Sequence, residues 1–138
     1  MFLGVGFVSA AGVLRRRENL ESIEAKGVEF DAVAIFDPIN ARASYAYTDA
    51  EVTASGIATG LNGLQPARSS EHQASATPGW ASRAGAAFSV TGRYVSSQFE
   101  DDGNSRSLAH AFTIETRAAV AIAANFSIEA RAENLPDE

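Results

Sequence analysis

From Gly27 onward, apolar and polar positions alternate with a period of two. In the stretch Ala87–Phe99, Phe88, Val90, Gly92 and Tyr94 fall on one side, and Ser89, Thr91 and Arg93 on the other. The stretch Leu108–Ile122 repeats this more strongly. Leu108, Phe112, Ile114, Ala118, Val120 and Ile122 share a side with His110 and Thr116, against Thr113, Glu115 and Arg117. Phe126, Ile128, Ala130 and Ala132 alternate with Ser127, Glu129, Arg131 and Glu133, and Ala74, Ala76, Pro78 and Trp80 with Gln73, Ser75 and Thr77. Successive side chains of a strand point to opposite faces, so the pattern predicts an all-β chain of about six strands. The breaks between runs alternate too. Asp37–Asn40, Ser82–Gly85 and Ala123–Asn125 are short, whereas Thr53–Ser70 and Asp101–Ser107 are longer and polar. That spacing predicts an antiparallel meander.

The first hairpin sharpens the pattern. With Asp37–Asn40 as its loop, Phe36 faces Ala41, Ala34 faces Ala43, Ala32 faces Tyr45 and Phe30 faces Tyr47. The opposite side then carries Ile35 with Arg42, Val33 with Ser44, Asp31 with Ala46 and Glu29 with Thr48. A one-residue slip would mix the two sides, so the pattern specifies the pairing. In the last hairpin Glu115, Arg117, Glu129 and Arg131 share a side, where opposite charges meet directly or diagonally. Two architectures satisfy such faces. In a soluble β-sandwich or small-barrel binding module the apolar face is packed inside. In a transmembrane barrel it meets lipid and the polar face lines the lumen. Periodicity leaves both open, although short turns at one end and long loops at the other match an outer-membrane barrel.

Composition removes other classes. Of 138 residues 27 are Ala, and 11 basic against 17 acidic residues leave a net charge of −6, poorly suited to phosphate neutralisation on nucleic acid. There is no Cys, so disulfides, thiolate metal sites and Cys nucleophiles are excluded. No apolar run reaches the roughly 18 residues of a membrane-spanning helix, which leaves membrane strands untouched. Met1–Leu14 is apolar, with Val8-Ser9-Ala10 shaped like a cleavage site. Its charge, Arg15-Arg16-Arg17, follows the apolar run instead of preceding it, unlike a signal peptide. Leu14–Lys26 reads locally as a helix, with Leu20 and Ile23 three apart and Gly27 as a cap.

Candidate chemistry is sparse. His72 and His110 have no nucleophile and orienting partner marked beside them, so no catalytic residue is assigned. Glu100-Asp101-Asp102 with Asn104 lacks the spacing of a calcium loop and reads as a solvated turn. Gly4-Val5-Gly6 is too short for a dinucleotide fingerprint. Arg15-Arg16-Arg17 reads as a solvated or ion-paired run. No metal ligand, cofactor or cofactor-binding residue is assigned, and no ligand-binding residue is named.

The strings themselves carry a resemblance. Arg15–Ala32 (RRRENLESIEAKGVEFDA) places Asn19 before Gly27-Val28-Glu29-Phe30. Ala43–Val52 (ASYAYTDAEV) ends in Tyr-x-Tyr-x-Asp-Ala. Leu61–Ala76 holds a Pro and a His at a strand start, Val90–Asn104 reads Gly-Arg-Tyr-Val then an acidic loop, and Arg131–Glu138 reads RAENLPDE. In this order the strings resemble the TonB-dependent receptors of Gram-negative outer membranes, from about Gly4 to Glu138. Pro136 stands where the family usually has Phe.

The resemblance implies an open fragment of a 22-stranded transmembrane β-barrel. It implies that residues 1–12 are an extracellular loop remnant and 13–138 are barrel strands, with Arg15–Phe36 one long bent strand instead of a helix. The plug domain, the TonB-contacting box and the last strand would be missing. It further implies transport, not enzymatic chemistry, of a siderophore-bound iron or other small nutrient, residence in the cell outer membrane, and contact with lipid and lipopolysaccharide. The TonB system would be met only through the missing N-terminal part, and the fragment alone would not transport. On this reading Glu29, Arg42, Arg93, Glu115, Arg117, Glu129 and Arg131 face the lumen in structural roles. Tyr45, Tyr47, Trp80, Tyr94 and Phe126 form an interfacial aromatic belt.

Overall fold

The computed structural model describes residues 2–9, 12–19, 22–123 and 125–134, with backbone alone for 2–19. Its elements are β1 (Phe2–Ser9), β2 (Gly12–Asn19), β3 (Ser22–Phe36), β4 (Ile39–Thr53), a 3-10 helix (Gly56–Leu61), β5 (His72–Ala81), β6 (Ala86–Val95), β7 (Gln98–Phe99), β8 (Ser107–Leu108), β9 (Ala111–Ala123) and β10 (Phe126–Ala132). Six of them form one open antiparallel sheet in the order β10-β9-β6-β5-β4-β3. β1 pairs with β2 and β7 with β8 in two separate ladders. The long strands are thus a meander, as the alternation predicts.

Several expectations are corrected in detail. The stretch Arg15–Phe36 is extended on both sides of residues 20 and 21. Its first part belongs to β2, paired with β1, and its second to β3, paired with β4, with residues 20 and 21 outside the description. The local helical reading of Leu14–Lys26 fails, because residues 14–19 and 22–26 are extended. Residues 2–9 run as β1, with Arg15, Arg16 and Arg17 opposite Gly6, Val5 and Gly4. The first turn is two residues, Asp37-Pro38 with a cis peptide bond, not four. Because the loop shortens by an even number, the two faces keep their membership. Ala124 and Pro136 lie outside the described residues.

The chain divides into two compact units, residues 28–47, 72–96 and 110–138, and residues 1–27, 48–71 and 97–109. In the first unit the short turns close tightly. Gly85, at φ 86°, donates its N–H to the Ser82 carbonyl and accepts from the Ala121 N–H. A Cβ there would lie 2.7 Å from the Ala121 Cβ, so only glycine fits. Between Phe126 and Ser127 the β9–β10 register shifts by one, leaving Ile122 as a bulge.

In the second unit the connection after β4 folds on itself. Val52 donates to the Leu64 carbonyl, Gly63 donates to the Val52 carbonyl, and Asn62 Oδ1 accepts from the Ala54 N–H. Val52, Ala54 and Ala58 are buried together with Leu61 against them. Among the described residues, the buried apolar side chains are Ala50, Val52, Ala54 and Ala58, and none lies in β5, β6, β9 or β10. The polar stretch Thr53–Ser70 is therefore a small folded loop module.

Candidate functional site

The register assembles the two faces that alternation predicts. Ile39 pairs with Trp80, Ala43 with Ala76, Tyr45 with Ala74 and Tyr47 with His72 across β4–β5. Trp80 then pairs with Phe88, and Ala74 with Tyr94. Phe88 pairs with Ala118, Gly92 with Ile114 and Tyr94 with Phe112, and the row continues to Ala130 and Ile128 on β10. One face is apolar from β4 to β10. Its large side chains are bare: Phe88 is 48% exposed, Phe112 54%, Val120 51% and Ile128 56%. A soluble sandwich covers such a face with a second sheet. Here that face stands uncovered, the arrangement of strands whose outer face meets lipid.

The opposite face is polar and paired within itself. Ser44 and Ser75 hydroxyls lie 2.8 Å apart, and Thr77 and Thr91 hydroxyls 3.0 Å apart. Arg93 donates to Glu115 Oε2 at 2.9 Å, and Arg131 reaches Glu115 Oε1 at 2.9 Å and Glu133 at 2.6 Å. Arg117 donates to Glu129 at 2.6 Å. Glu115 is the centre of this chain of charges, its side chain only 16% exposed. Three strands are tied through it.

Of the seven charged residues expected on this face, five are brought together: Arg93, Glu115, Arg117, Glu129 and Arg131. Arg42 and Glu29 make no ion pair among the described residues. Glu29 and Asp31 instead line a shallow depression of about 330 Å³ with Ser44, Gln73, Ser75 and Arg93. Glu133, two residues beyond Arg131 and hence on its side, was the member that alternation offered and charge counting passed over. Arg83 and Asp37, 2.6 Å apart, link two of the short turns and are highly exposed.

The expected aromatic belt separates into two levels. Tyr45, Tyr47 and Tyr94 stand at the end from which the long connections leave. Trp80 and Phe126 stand at the short-turn end. His72 joins the first group: its Nδ1 and Tyr45 Oη share a 2.9 Å hydrogen bond, and its ring centroid lies 5.1 Å from that of Tyr47. The His110 ring lies 6.1 Å from Tyr94.

The acidic turn between β7 and β8 uses its carboxylates internally. Asp101 accepts from the Ser105 and Arg106 N–H groups and from the Ser105 hydroxyl. Glu100 pairs with Arg106 at 3.3 Å. Desolvation pushes the Asp101 carboxyl up, but the hydrogen bonds from Ser105, Arg106 and Gly103 together outweigh it and hold the carboxyl below its ordinary range. Among the described residues, no group of three or more His, Asp or Glu is gathered to hold a metal.

A sheet with one bare apolar face and one ion-paired polar face fits a membrane barrel wall. The family profile for the TonB dependent receptor-like β-barrel matches residues 4–135. The chain belongs to the TonB-dependent receptor family. No curated protein matches it. Family membership places the chain in the bacterial outer membrane, in transport and not in enzymatic catalysis, with the TonB system as the family's partner. The TonB-dependent receptor barrel also accounts for the position of the buried residues. Its strands need lipid on one side and a polar lumen on the other, so among the described residues the buried apolar side chains lie at the end of β4 and in the loop module that follows it.

Proposed function

We propose that this sheet is a segment of the wall of a TonB-dependent receptor that takes up a scarce nutrient, such as an iron–siderophore complex or another small metal chelate. The observation that supports it is the cross-strand register, which gathers exposed apolar side chains on one face and an ion-paired network on the other. Six strands are fewer than the roughly eight of the smallest closed membrane barrels. The edges at β3 and β10 present backbone groups that lipid cannot satisfy. Further strands therefore complete the wall, and the sheet does not transport by itself. The long connections face outward and the short turns inward, with residues 1–12 in an outer loop. Glu29, Asp31 and Arg42 face the lumen, where a plug domain supplies their partners. TonB is engaged through that plug part and its TonB-contacting box.

The test is fractionation followed by function. The chain is expected in the outer-membrane fraction, with no conductance in planar bilayers and no uptake of iron chelates by itself. Recovery of the folded chain in the soluble fraction without detergent sinks the membrane segment, and specific uptake by the chain alone sinks the need for further strands.

A further inference from the structure

Two connections leave the same end of the sheet: residues 54–71 between β4 and β5, and residues 96–110, the arm that holds β7 and β8, between β6 and β9. Residues 54–71 and most of the arm, residues 97–109, lie in one compact unit and meet along a short seam. Arg68 donates its N–H to the Phe99 carbonyl at 2.7 Å. The Asn104 side-chain amide donates to the Gln65 carbonyl at 2.9 Å and accepts the Gln65 N–H at 3.0 Å, as a neighbouring strand would. Each side of the seam is stiffened from within. Gln65 Nε2 donates to the Ser69 carbonyl and the Ser69 N–H to the Pro66 carbonyl, which closes the turn that holds Arg68. Asn104 donates its own N–H to the Asp101 carbonyl, and the Asp101 carboxylate accepts the N–H groups of Ser105 and Arg106. Backbone conformation marks the same place. Arg68, at φ 58°, and Asn104, at φ 52°, are both left-handed, a conformation that costs energy and persists where the surrounding contacts over-determine it.

We infer that this seam is a latch, which makes the two connections open and close as one body. The loop module is folded on the end of β4 through Val52, Gly63 and Leu64, whereas the arm has only a two-residue ladder of its own. The seam is therefore what orders the arm, with Asn104 as its two-point catch and Asp101 as the residue that positions Asn104. A solute drawn against either connection would then shift both. That role in uptake rests on the receptor reading above. The latch itself does not, and its test needs no transport.

Amide hydrogen exchange on the full chain in detergent micelles tests the latch. N104A removes both contacts to Gln65 and leaves the Arg68–Phe99 bond in place. One body predicts faster exchange at Gln65, at Arg68, and at Glu100, whose N–H is bonded to the Arg106 carbonyl within the arm. The three should rise by a similar factor, roughly tenfold, the scale of one hydrogen bond. D101N, which loosens the arm from inside, should speed exchange at Arg68 as well, across the seam. Gly63, bonded to Val52 in the module, and Ala121, bonded to Gly85 in the wall, should be unchanged in both variants. Unchanged exchange at Arg68 in either variant overturns the latch, because the connections then move separately. Faster exchange at Gly63 to the same degree also overturns it, because the module then unfolds instead of parting from the arm.

Discussion

Arg131 on β10 stands directly opposite Arg117 on β9, yet each turns away to a diagonal carboxylate, Arg131 to Glu115 and Arg117 to Glu129. Like charges directly across a ladder repel, and the diagonal neighbours lie within reach of a long side chain. The register thus makes a repulsive pair the source of two attractive ones. Glu115 also accepts from Arg93 on β6, so one carboxylate joins three strands. Replacing it leaves two guanidiniums short of an acceptor, whereas replacing Glu129 affects one. E115Q is expected to lower the urea midpoint in detergent micelles by more than E129Q does. In a double-mutant cycle, any coupling between Arg93 and Arg131 should vanish in the E115Q background. Equal effects of the two carboxylate variants would show that Glu115 is not the centre of the network.

Adjacent alanines provide a test of which face meets lipid. Ala118 pairs with Phe88 and lies on the apolar face, and Ala119 pairs with Ala87 and Glu129 on the polar face. An arginine facing lipid near the bilayer midplane costs about 2–4 kcal/mol. A118R should therefore destabilise the sheet by roughly that amount in lipid vesicles. A119R should be close to neutral, since the new guanidinium stands across from Glu129. The contrast is read from unfolding free energies of the two variants. A reversed order would mean that the lipid and lumen faces are exchanged.

The sequence made the faces legible because side-chain alternation has a fixed period of two. The residues that alternation puts on the apolar face of β6 and β9 are there in the register, with Phe88, Ile114 and Val120 as examples and Ile122, at the bulge, as the exception. Register itself was harder. The diagonal contacts of Glu115 depend on the bulge at Ile122, and nothing in Ala121–Phe126 announces an extra residue. The hairpin β7–β8 escapes alternation because its ladder is only two residues long, and β1–β2 because apolar residues occupy both alternate sets in Phe2–Ser9. The loop module escaped because its core is made of alanines and one valine, residues that look like filler in a polar stretch. The two histidines were read singly. Only pairing across β4–β5 set His72 against Tyr47, 25 residues away in the chain.

The acidic turn predicts a pH dependence of known sign. Asp101 has its carboxyl held below the ordinary range by hydrogen bonds from Ser105, Arg106 and Gly103 that exceed the opposing desolvation. A carboxyl lowered on folding contributes stability above its unfolded value, about 3.9, and loses it as pH falls through its lowered folded value. The turn should stay ordered at neutral pH and loosen only under strong acid. Amide exchange at Ser105 and Arg106 should be slow above pH 5 and accelerate on acidification. D101N should show fast exchange at every pH, because the amide oxygen is a weaker acceptor and its N–H₂ group cannot accept. A carboxyl titration of Asp101 at or above the ordinary Asp range would contradict the hydrogen-bond pattern.

The turn between β5 and β6 should be the least forgiving of the short turns. Gly85 sits at φ 86°, where an L side chain costs about 1–2 kcal/mol. A Cβ added there would also lie 2.7 Å from the Ala121 Cβ, closer than carbon atoms approach, so β9 would have to move. Movement would break the hydrogen bond that the Ala121 N–H donates to the Gly85 carbonyl. G85A is thus expected to destabilise by at least the conformational cost, while G60A, which has nothing within 4 Å of the added carbon, should change little. Shortening the neighbour tests the steric part by itself. In A121G the blocking Cβ is absent, so G85A/A121G should recover some of the loss that G85A suffers, beyond the sum of the single effects. Additive losses would mean that conformation alone, without the contact to β9, sets the need for glycine at this turn.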